Sequence, residues 1–303
     1  MPTKFSPAFD AYVEPARERS EIWRTLLGFV LVAVVFLVAT LGLSATIILI
    51  GEMQQTGKGF RLVFLLQQGT SVFATFTLVG VITIIIPALW LVVRFLHKRS
   101  FWTLIAPDRR INWRYWQIGA IVVALFGIAD AVLTLTTQEV EQQHAYMVWF
   151  PLALAATVMV FLQTAAEELV FRGYLQQQLA ARFQSRWVWL LIPSLLFGSL
   201  HYNPTTFGDN TWLVMGIAAT IGLIAGDLTA RLGNLSAALG IHFANNIVVF
   251  VFLNVRGQAS GVSLFLHDMD PKSADATSGL ILAMILMLAI YGGFLMVWKR
   301  RRL

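Results

Sequence analysis

Long apolar segments recur along almost the whole chain, separated by short polar stretches. About 20 apolar residues are enough for a helix to cross roughly 30 Å of hydrocarbon. We count eight such segments: residues 25–50, 70–95, 117–135, 148–179, 187–202, 211–229, 235–254 and 277–298. The fifth is the shortest, and the fourth is long enough to tilt or to emerge from the bilayer. The pattern predicts an all-α, polytopic membrane helix bundle with about eight transmembrane helices.

Composition supports this class of protein. Of the 303 residues, 57% are hydrophobic and 13% are charged, whereas a soluble domain has about 25% charged residues. The chain contains no cysteine, which excludes disulfide bonds and thiolate metal sites. We therefore expect an integral, multi-pass protein of the cell inner membrane, with membrane lipids among its partners.

Basic residues flank the apolar segments and predict their orientation. With the N-terminus inside, 17 of the 22 Lys and Arg residues fall in inside segments and 4 in outside segments. This distribution follows the positive-inside rule, so we predict that both termini are cytoplasmic. The same distribution explains the net charge of +6, and we therefore expect no nucleic-acid partner.

Three ionisable residues lie inside the fourth apolar segment: Glu167, Glu168 and Arg172. Charged side chains are costly in hydrocarbon, so their presence there indicates a function. Glu168 and Arg172 are four residues apart and share a helix face, so the guanidinium can neutralise that carboxylate. Glu167 is turned about 100° away from this face. We predict that Glu168 is structural and that Glu167 acts as a general base.

Two histidines and an asparagine accompany these carboxylates. His201 ends the fifth apolar segment, and His242 and Asn246 lie one turn apart in the seventh, where they share a face. Glu167 and His201 each lie 17 residues from a loop centred near residue 184, so a helical hairpin places them at similar depth. A carboxylate base, imidazoles and an amide donor are the groups that water activation and oxyanion stabilisation require.

Each of these polar residues also has a purely structural alternative. A buried Glu–Arg pair can clasp a helix, and histidine or asparagine can hydrogen-bond to neighbouring helices. Gly222 and Gly226 form a GxxxG pattern that we assign to helix packing, and Asp130 is expected to face water. The remaining three histidines are expected to be solvated in loops or at span ends: His97, His144 and His267.

Three motifs, in order along the chain, resemble those of a known family. They are Glu167-Glu168-x-x-x-Arg172, Phe197-x-x-x-His201 and His242-x-x-x-Asn246. This set is similar to that of the CPBP family, the CAAX-protease and bacteriocin-processing intramembrane proteases, also called Abi and related to the Rce1 type of prenyl-protein endopeptidase. Each motif alone is weak, but three in order at these spacings are specific. The resemblance covers roughly residues 150–255.

The resemblance implies a role for each matched residue. In the first motif, Glu167 would polarise the attacking water, and Arg172 would support Glu168. His201 would hold the same water. His242 and Asn246 would stabilise the tetrahedral oxyanion.

The resemblance leaves the use of a metal open. The family is commonly described as metalloproteases, but a glutamate-dependent mechanism without metal is also proposed for it. Glu167, His201 and His242 would supply a two-histidine, one-carboxylate site for zinc or another divalent ion, although the HExxH signature is absent. A metal would offset buried negative charge, yet it would occupy the carboxylate wanted as the base.

These features divide the chain into four parts. Residues 1–24 form a cytoplasmic segment that is too long and too mixed in charge for a signal peptide. Residues 25–147 hold the first membrane helices and an interfacial segment at 96–116, where tryptophans lie among arginines. Residues 148–255 form the protease core, and residues 256–303 form a loop and the last membrane helix.

Three functions remain compatible with these residues. The first is an intramembrane endopeptidase that uses glutamate- and histidine-activated water on a membrane-associated peptide or protein, lipidated or not. The second is a non-catalytic membrane scaffold or bacteriocin-immunity protein with the same fold. The third is a transporter or proton relay, which predicts polar residues along a path through several spans. Here they concentrate in the fourth, fifth and seventh segments, which favours the first two.

Overall fold

The predicted all-α membrane bundle is confirmed by a computed structural model that describes residues 5–53 and 58–300. The described residues form ten main helices: α1 Pro7–Arg17, α2 Ile22–Met53, α3 Gly59–Gln68, α4 Val72–Leu96, α5 Trp113–Thr137, α6 Tyr146–Arg182, α7 Trp187–Ser199, α8 Thr211–Leu232, α9 Ser236–Phe252 and α10 Ala274–Arg300. Three cations of the predicted cytoplasmic segments, Lys4, Arg301 and Arg302, lie outside the described residues.

Six helices in the described part of the chain are long and apolar enough to cross a membrane. These six spans correspond to α2, α4, α5, α6, α8 and α10, and each coincides with a predicted apolar segment. The other two predicted segments are α7 and α9, which have 13 and 17 residues. At 1.5 Å per residue these helices extend about 20 and 25 Å, less than the hydrocarbon thickness. All eight predicted segments are therefore helical, but two are shorter than a full span.

A small three-stranded sheet lies at one end of the bundle. Strand β3 (Phe265–His267) pairs antiparallel with β1 (Val140–Gln142) and parallel with β2 (Leu253–Val255). The pairing joins the connection after α5 to the connection after α9. The sequence analysis predicted no strands, because runs of three residues carry too little pattern to indicate a sheet.

Backbone and side-chain hydrogen bonds bring further loops to the same end. The amide of Ala259 donates to the carbonyl of Gln68 at 2.9 Å, and Asn210 Nδ2 donates to the carbonyl of Pro271 at 2.9 Å. The connections after α3, α5, α7 and α9 therefore lie together. They are the loops that the charge distribution predicts to lie on the side of the membrane opposite to the cytoplasm.

The opposite end gathers the connections after α4 and α8. The amide of Leu235 donates to the carbonyl of Ile105 at 2.8 Å, and the amide of Asn112 donates to Ser236 Oγ at 2.9 Å. The eight helices therefore run alternately between the two ends, with α7 and α9 taking part despite their length. This order agrees with the predicted placement of both termini on one side.

Helix α1 is amphipathic and packs against the predicted cytoplasmic end of the bundle. Ser6 caps it, since Ser6 Oγ accepts from the amide of Phe9 at 3.2 Å. Phe9, Tyr12 and Val13 form its buried face at helical spacing. Tyr12 Oη donates to the carbonyl of Leu104 at 2.7 Å. The segment predicted only as a cytoplasmic extension thus adds a packed helix to the core.

The segment 96–116, predicted to be interfacial, is partly buried and partly exposed. Phe101 and Leu104 begin and end a short 3-10 helix and are buried in the core. Trp102 and Trp113 are more than half exposed. The interfacial location of the segment stays a prediction, and the apolar residues of its buried half pack under α6.

His97, which was expected to be solvated, is 3% exposed. Its Nε2 lies 2.9 Å from Tyr174 Oη, and its Nδ1 lies 3.0 Å from Gln178 Nε2. Burial and, to a smaller extent, the charge of Arg99 lower the pKa of His97 to about 4. The imidazole is therefore neutral in the folded protein at neutral pH.

The other two loop histidines are also hydrogen-bonded rather than freely solvated. His144 Nε2 lies 3.0 Å from the carbonyl oxygen of Gly261, and His267 Nδ1 lies 2.8 Å from Gln138 Oε1. Both contacts join loops around the small sheet. The expectation of solvation fails here because it considered each loop alone and not its contacts with other loops.

We predict that His97 makes the folded protein less stable in acid. Its pKa is about 4 when folded and roughly 6.5 when unfolded, so unfolding takes up a proton between these values. The contribution is complete above about pH 6.5 and decreases by roughly 3 kcal/mol as the pH falls toward 4. Thermal unfolding of the detergent-purified protein between pH 4 and pH 7 measures this loss.

The His97→Gln variant is the test of the assignment, because its side chain does not titrate in this range. Its melting temperature should change less between pH 4 and pH 7 than that of the unmodified protein. His144→Gln, at the other end of the bundle, is the control and should keep the original pH dependence. An equal pH dependence in all three proteins would show that His97 is not responsible.

Candidate active site

The first motif lies in α6, where the helical hydrogen bonding changes. Residues Tyr146–Glu168 are α-helical and Leu169–Gln176 form a π-helical stretch; π-helical segments are frequent at functional sites. Arg172 Nη1 donates to Glu168 Oε1 at 2.8 Å, and both side chains are buried. The predicted ion pair between Glu168 and Arg172 is therefore confirmed.

Close packing from α7 and α8 holds the guanidinium of Arg172. A Cβ atom at Gly222 would lie 3.1 Å from Arg172 Nη2, and the guanidinium carbon lies 4.5 Å from the ring centre of Phe197. One turn further along α8, the carbonyl of Gly226 accepts from Gln176 Nε2 at 2.9 Å. The GxxxG pattern thus serves helix packing, as predicted, and brings α8 against the buried charge.

His242 of α9 lies between the two glutamates. Its Nδ1 is 2.8 Å from Glu168 Oε1, and its Nε2 is 3.5 Å from Glu167 Oε2. An ionised carboxylate can only accept hydrogen bonds, so Nδ1 of His242 carries a proton and donates this hydrogen bond to Glu168. The ring is therefore held in one orientation, with Nε2 directed at Glu167.

Glu167 accepts a hydrogen bond from Gln163, a residue that the sequence analysis did not select for the site. Gln163 Nε2 donates to Glu167 Oε1 at 2.7 Å, and Asn246 Nδ2 donates to Gln163 Oε1 at 2.9 Å. Asn245 Nδ2 in turn donates to Asn246 Oδ1 at 3.0 Å. Gln163 lies four residues before Glu167, and residues at this spacing are neighbours on a helix. This spacing is the feature of the sequence that could have indicated the contact. The buried amide of Gln163 therefore joins the first motif to the third.

His201 lies beside this network and is not bonded to it within the described residues. Its Nδ1 is 3.0 Å from the carbonyl oxygen of Phe197, and its side chain is exposed. The Phe197 ring separates the two imidazoles, with its centre 5.0 Å from that of His201 and 5.7 Å from that of His242. Because the carbonyl of Phe197 can only accept, Nδ1 of His201 carries a proton in this contact.

The expected metal ligands do not converge. Among the residues that the structure describes, no three His, Cys, Asp or Glu side chains are arranged to hold a single metal ion. Glu167 and His242 lie 3.5 Å apart, but His201 is turned toward the backbone of its own helix. This arrangement does not fit a three-ligand zinc site, so the chemistry below is derived from the side chains alone.

Five of the six selected residues thus lie together between α6 and α9, in two hydrogen-bonded groups that meet where His242 Nε2 lies 3.5 Å from Glu167 Oε2, and His201 lies next to them. The molecule belongs to the class of membrane helix bundles with a buried glutamate and histidine site. Residues 148–248 match the family described as type II CAAX prenyl endopeptidase Rce1-like. The expected family resemblance is confirmed for this third of the chain, which has a CAAX-protease-like intramembrane fold.

A curated relative matches over a longer region. The chain is 35% identical over 183 residues to the uncharacterized protein YyaK of Bacillus subtilis (strain 168). The match covers 58% of this chain and 60% of the relative, so the chain spans about three fifths of that protein's length. No solved structure matches the chain.

We predict that Arg172→Met destabilises the protein by about 3–5 kcal/mol, because it leaves the buried carboxylate of Glu168 without a cation. The double variant Glu168→Gln, Arg172→Met removes both charges and should recover most of this stability. Thermal unfolding of the purified variants in detergent measures both effects. If Arg172→Met alone melts at the original temperature, the pair does not stabilise the fold.

Proposed function

We propose that the protein is an intramembrane endopeptidase that hydrolyses a peptide bond of a membrane-associated peptide or protein. The main support for the proposal is the position of His242 between Glu168 and Glu167. Arg172 and His242 both bond to Glu168 Oε1, and Glu168 Oε2 is buried away from water, whereas Glu167 Oε2 lies 3.5 Å from His242 Nε2 on a partly exposed side chain. The Glu167 side chain is also 18% exposed, against 0% for Glu168. This asymmetry supports Glu167 as the residue that acts on water.

In the proposed reaction, Glu167 Oε2 accepts a proton from a water molecule as the water oxygen attacks the peptide carbonyl carbon. The carbonyl oxygen becomes a tetrahedral oxyanion. When the carbon–nitrogen bond breaks, the proton passes from Glu167 to the leaving nitrogen, which yields a carboxylic acid and an amine. The glutamate is regenerated as a carboxylate, so no oxidant or further reactant is consumed.

The neighbouring side chains supply positioning and charge stabilisation. We assign His201 Nε2 to the attacking water, since Nδ1 is bonded to the backbone and the side chain is exposed. The amide of Asn246 gives one hydrogen to Gln163 and retains a second, which we assign to the oxyanion. His242 faces the same space through Nε2, and its link to Glu168 prevents it from turning away.

The substrate is proposed from the family and from the place of the site within the bundle. The description of the family as prenyl endopeptidases supports a peptide with a lipid-modified C-terminal tail as the first substrate to test. Unmodified membrane-associated peptides are the second class. A divalent metal such as zinc stays a prediction of the motif resemblance, and assays with and without a chelator test it.

We predict that Glu167→Gln lowers kcat by about 10²- to 10⁴-fold, because it removes the general base and keeps the size of the side chain. The measurement uses the full chain in proteoliposomes with a panel of quenched fluorescent peptides, with and without a farnesylated C-terminal cysteine. Melting temperature and insertion should stay close to those of the unmodified protein.

Asp130→Asn is the matched control, since Asp130 is an exposed carboxylate on another long helix, and this variant should keep full activity. Cleavage that continues in Glu167→Gln would contradict the mechanism. A binding activity that survives the loss of Glu167 and His201 together, with no cleavage by the unmodified protein, would favour the non-catalytic scaffold.

Gln163→Leu should lower kcat about tenfold with little change in KM, because Gln163 acts on the orientation of Glu167 rather than on the substrate. Steady-state kinetics on the best peptide of the same panel measures both constants. Gln117→Leu, an exposed glutamine at the start of α5, is the control. A change confined to KM, or an equal loss in the control, would show that Gln163 does not position the base.

A further inference from the structure

One side chain of α1 reaches the backbone of α6 at Arg172, the residue that neutralises Glu168. Tyr12 is fully buried, and its hydroxyl oxygen lies 2.7 Å from the carbonyl oxygen of Leu104 and 3.3 Å from that of Arg172. The one hydroxyl hydrogen is shared between these two acceptors, with Leu104 at the shorter distance. Burial raises the pKa of Tyr12, so the hydroxyl keeps this hydrogen at neutral pH.

The backbone of α6 lies directly against the same 3-10 helix at the next residue. A Cβ atom at Gly173 would lie 3.1 Å from the carbonyl oxygen of Leu104 and 3.2 Å from its Cβ. A larger residue at this position would therefore push the two segments apart. Gly173 belongs to the π-helical stretch, so Arg172 extends into the site from a backbone that α1 and the 3-10 helix hold from the other side.

A second buried side chain joins the same three segments. Gln177, one turn after Gly173, is 0% exposed. Its Nε2 donates to the carbonyl of Tyr12 and, at 3.0 Å, to the carbonyl of Thr103. An amide nitrogen carries two hydrogens, so both bonds can form at once. Two separate links therefore connect α1, the 3-10 helix and the catalytic part of α6.

We propose that Tyr12 is a positioning residue of the active site, which holds the backbone at Arg172 so that the guanidinium bonds Glu168 and Glu168 holds His242. The inference rests on the proposed function, because it gives Tyr12 a part in the same reaction without contact with substrate or water. A displacement of about 1 Å in a catalytic group can lower a rate by roughly 10²-fold. Tyr12 lies far outside residues 148–248, so the family match does not indicate this role.

Tyr12→Phe removes only the hydroxyl, and we expect it to lower kcat about tenfold while KM changes by less than roughly twofold. Tyr174→Phe is the matched control. Tyr174 is also fully buried, and its hydroxyl contacts two carbonyl oxygens of α2 and His97 Nε2. The control should melt at a lower temperature and keep its kcat. Steady-state kinetics of the full chain in proteoliposomes and thermal unfolding in detergent measure these effects.

A second measurement does not depend on cleavage. In protein that contains ¹⁵N-labelled histidine, the Nδ1–H resonance of His242 reports its hydrogen bond to Glu168, and its loss in His242→Asn assigns it. We expect the chemical shift of this resonance to change in Tyr12→Phe and to stay the same in Tyr174→Phe. If the unmodified protein cleaves no peptide, the proposed function fails, while the resonance still tests the role of Tyr12.

The positioning role is overturned if Tyr12→Phe leaves the His242 resonance unchanged or keeps the kcat of an active protein. It is equally overturned if only KM changes, or if Tyr174→Phe alters kcat and the resonance to the same extent. Gln177→Met removes the second link and takes the place of Tyr12→Phe if that variant does not fold. It should also lower kcat and shift the His242 resonance, and a Gln177→Met protein with neither change would contradict the proposal.

Discussion

The buried ion pair of Arg172 and Glu168 is the interaction on which the site depends. Either charge alone would be strongly unfavourable in this interior, so each requires the other. Pairing keeps Glu168 ionised, and an ionised Glu168 can hold His242 of α9. The guanidinium in turn needs the close approach of Gly222 and the cover of the Phe197 ring. One electrostatic requirement thus sets the positions of four helices.

The features that depend on local periodicity could be predicted from the sequence. The eight apolar segments are all helical, because about 20 apolar residues in succession have few other stable forms in a bilayer. The pairing of Glu168 with Arg172 followed from their spacing of four residues within one helix. The GxxxG of α8 likewise indicated close helix packing, and Gly222 meets the first motif there. In each case one helix contains enough information for the inference.

The features that depend on contacts between distant segments could not be predicted in this way. Nothing in the local sequence indicates that His242 lies between Glu167 and Glu168, or that Gln163 links Glu167 to Asn246 across two helices. The burial of His97 and the packing of α1 have the same origin, since each depends on a partner far along the chain. Charge and hydropathy limit the environment of such residues but do not identify their neighbours.

The lengths of α7 and α9 have a consequence for the surrounding lipid. A helix of 13 residues covers about two thirds of the hydrocarbon thickness, so lipid chains beside α7 must compress, or the missing third must be bordered by polar groups. His201 follows the last turn of α7, and its exposed ring lies where that deficit begins. Either outcome shortens the hydrocarbon path beside His201, and this gives water a route to the site at which we propose hydrolysis.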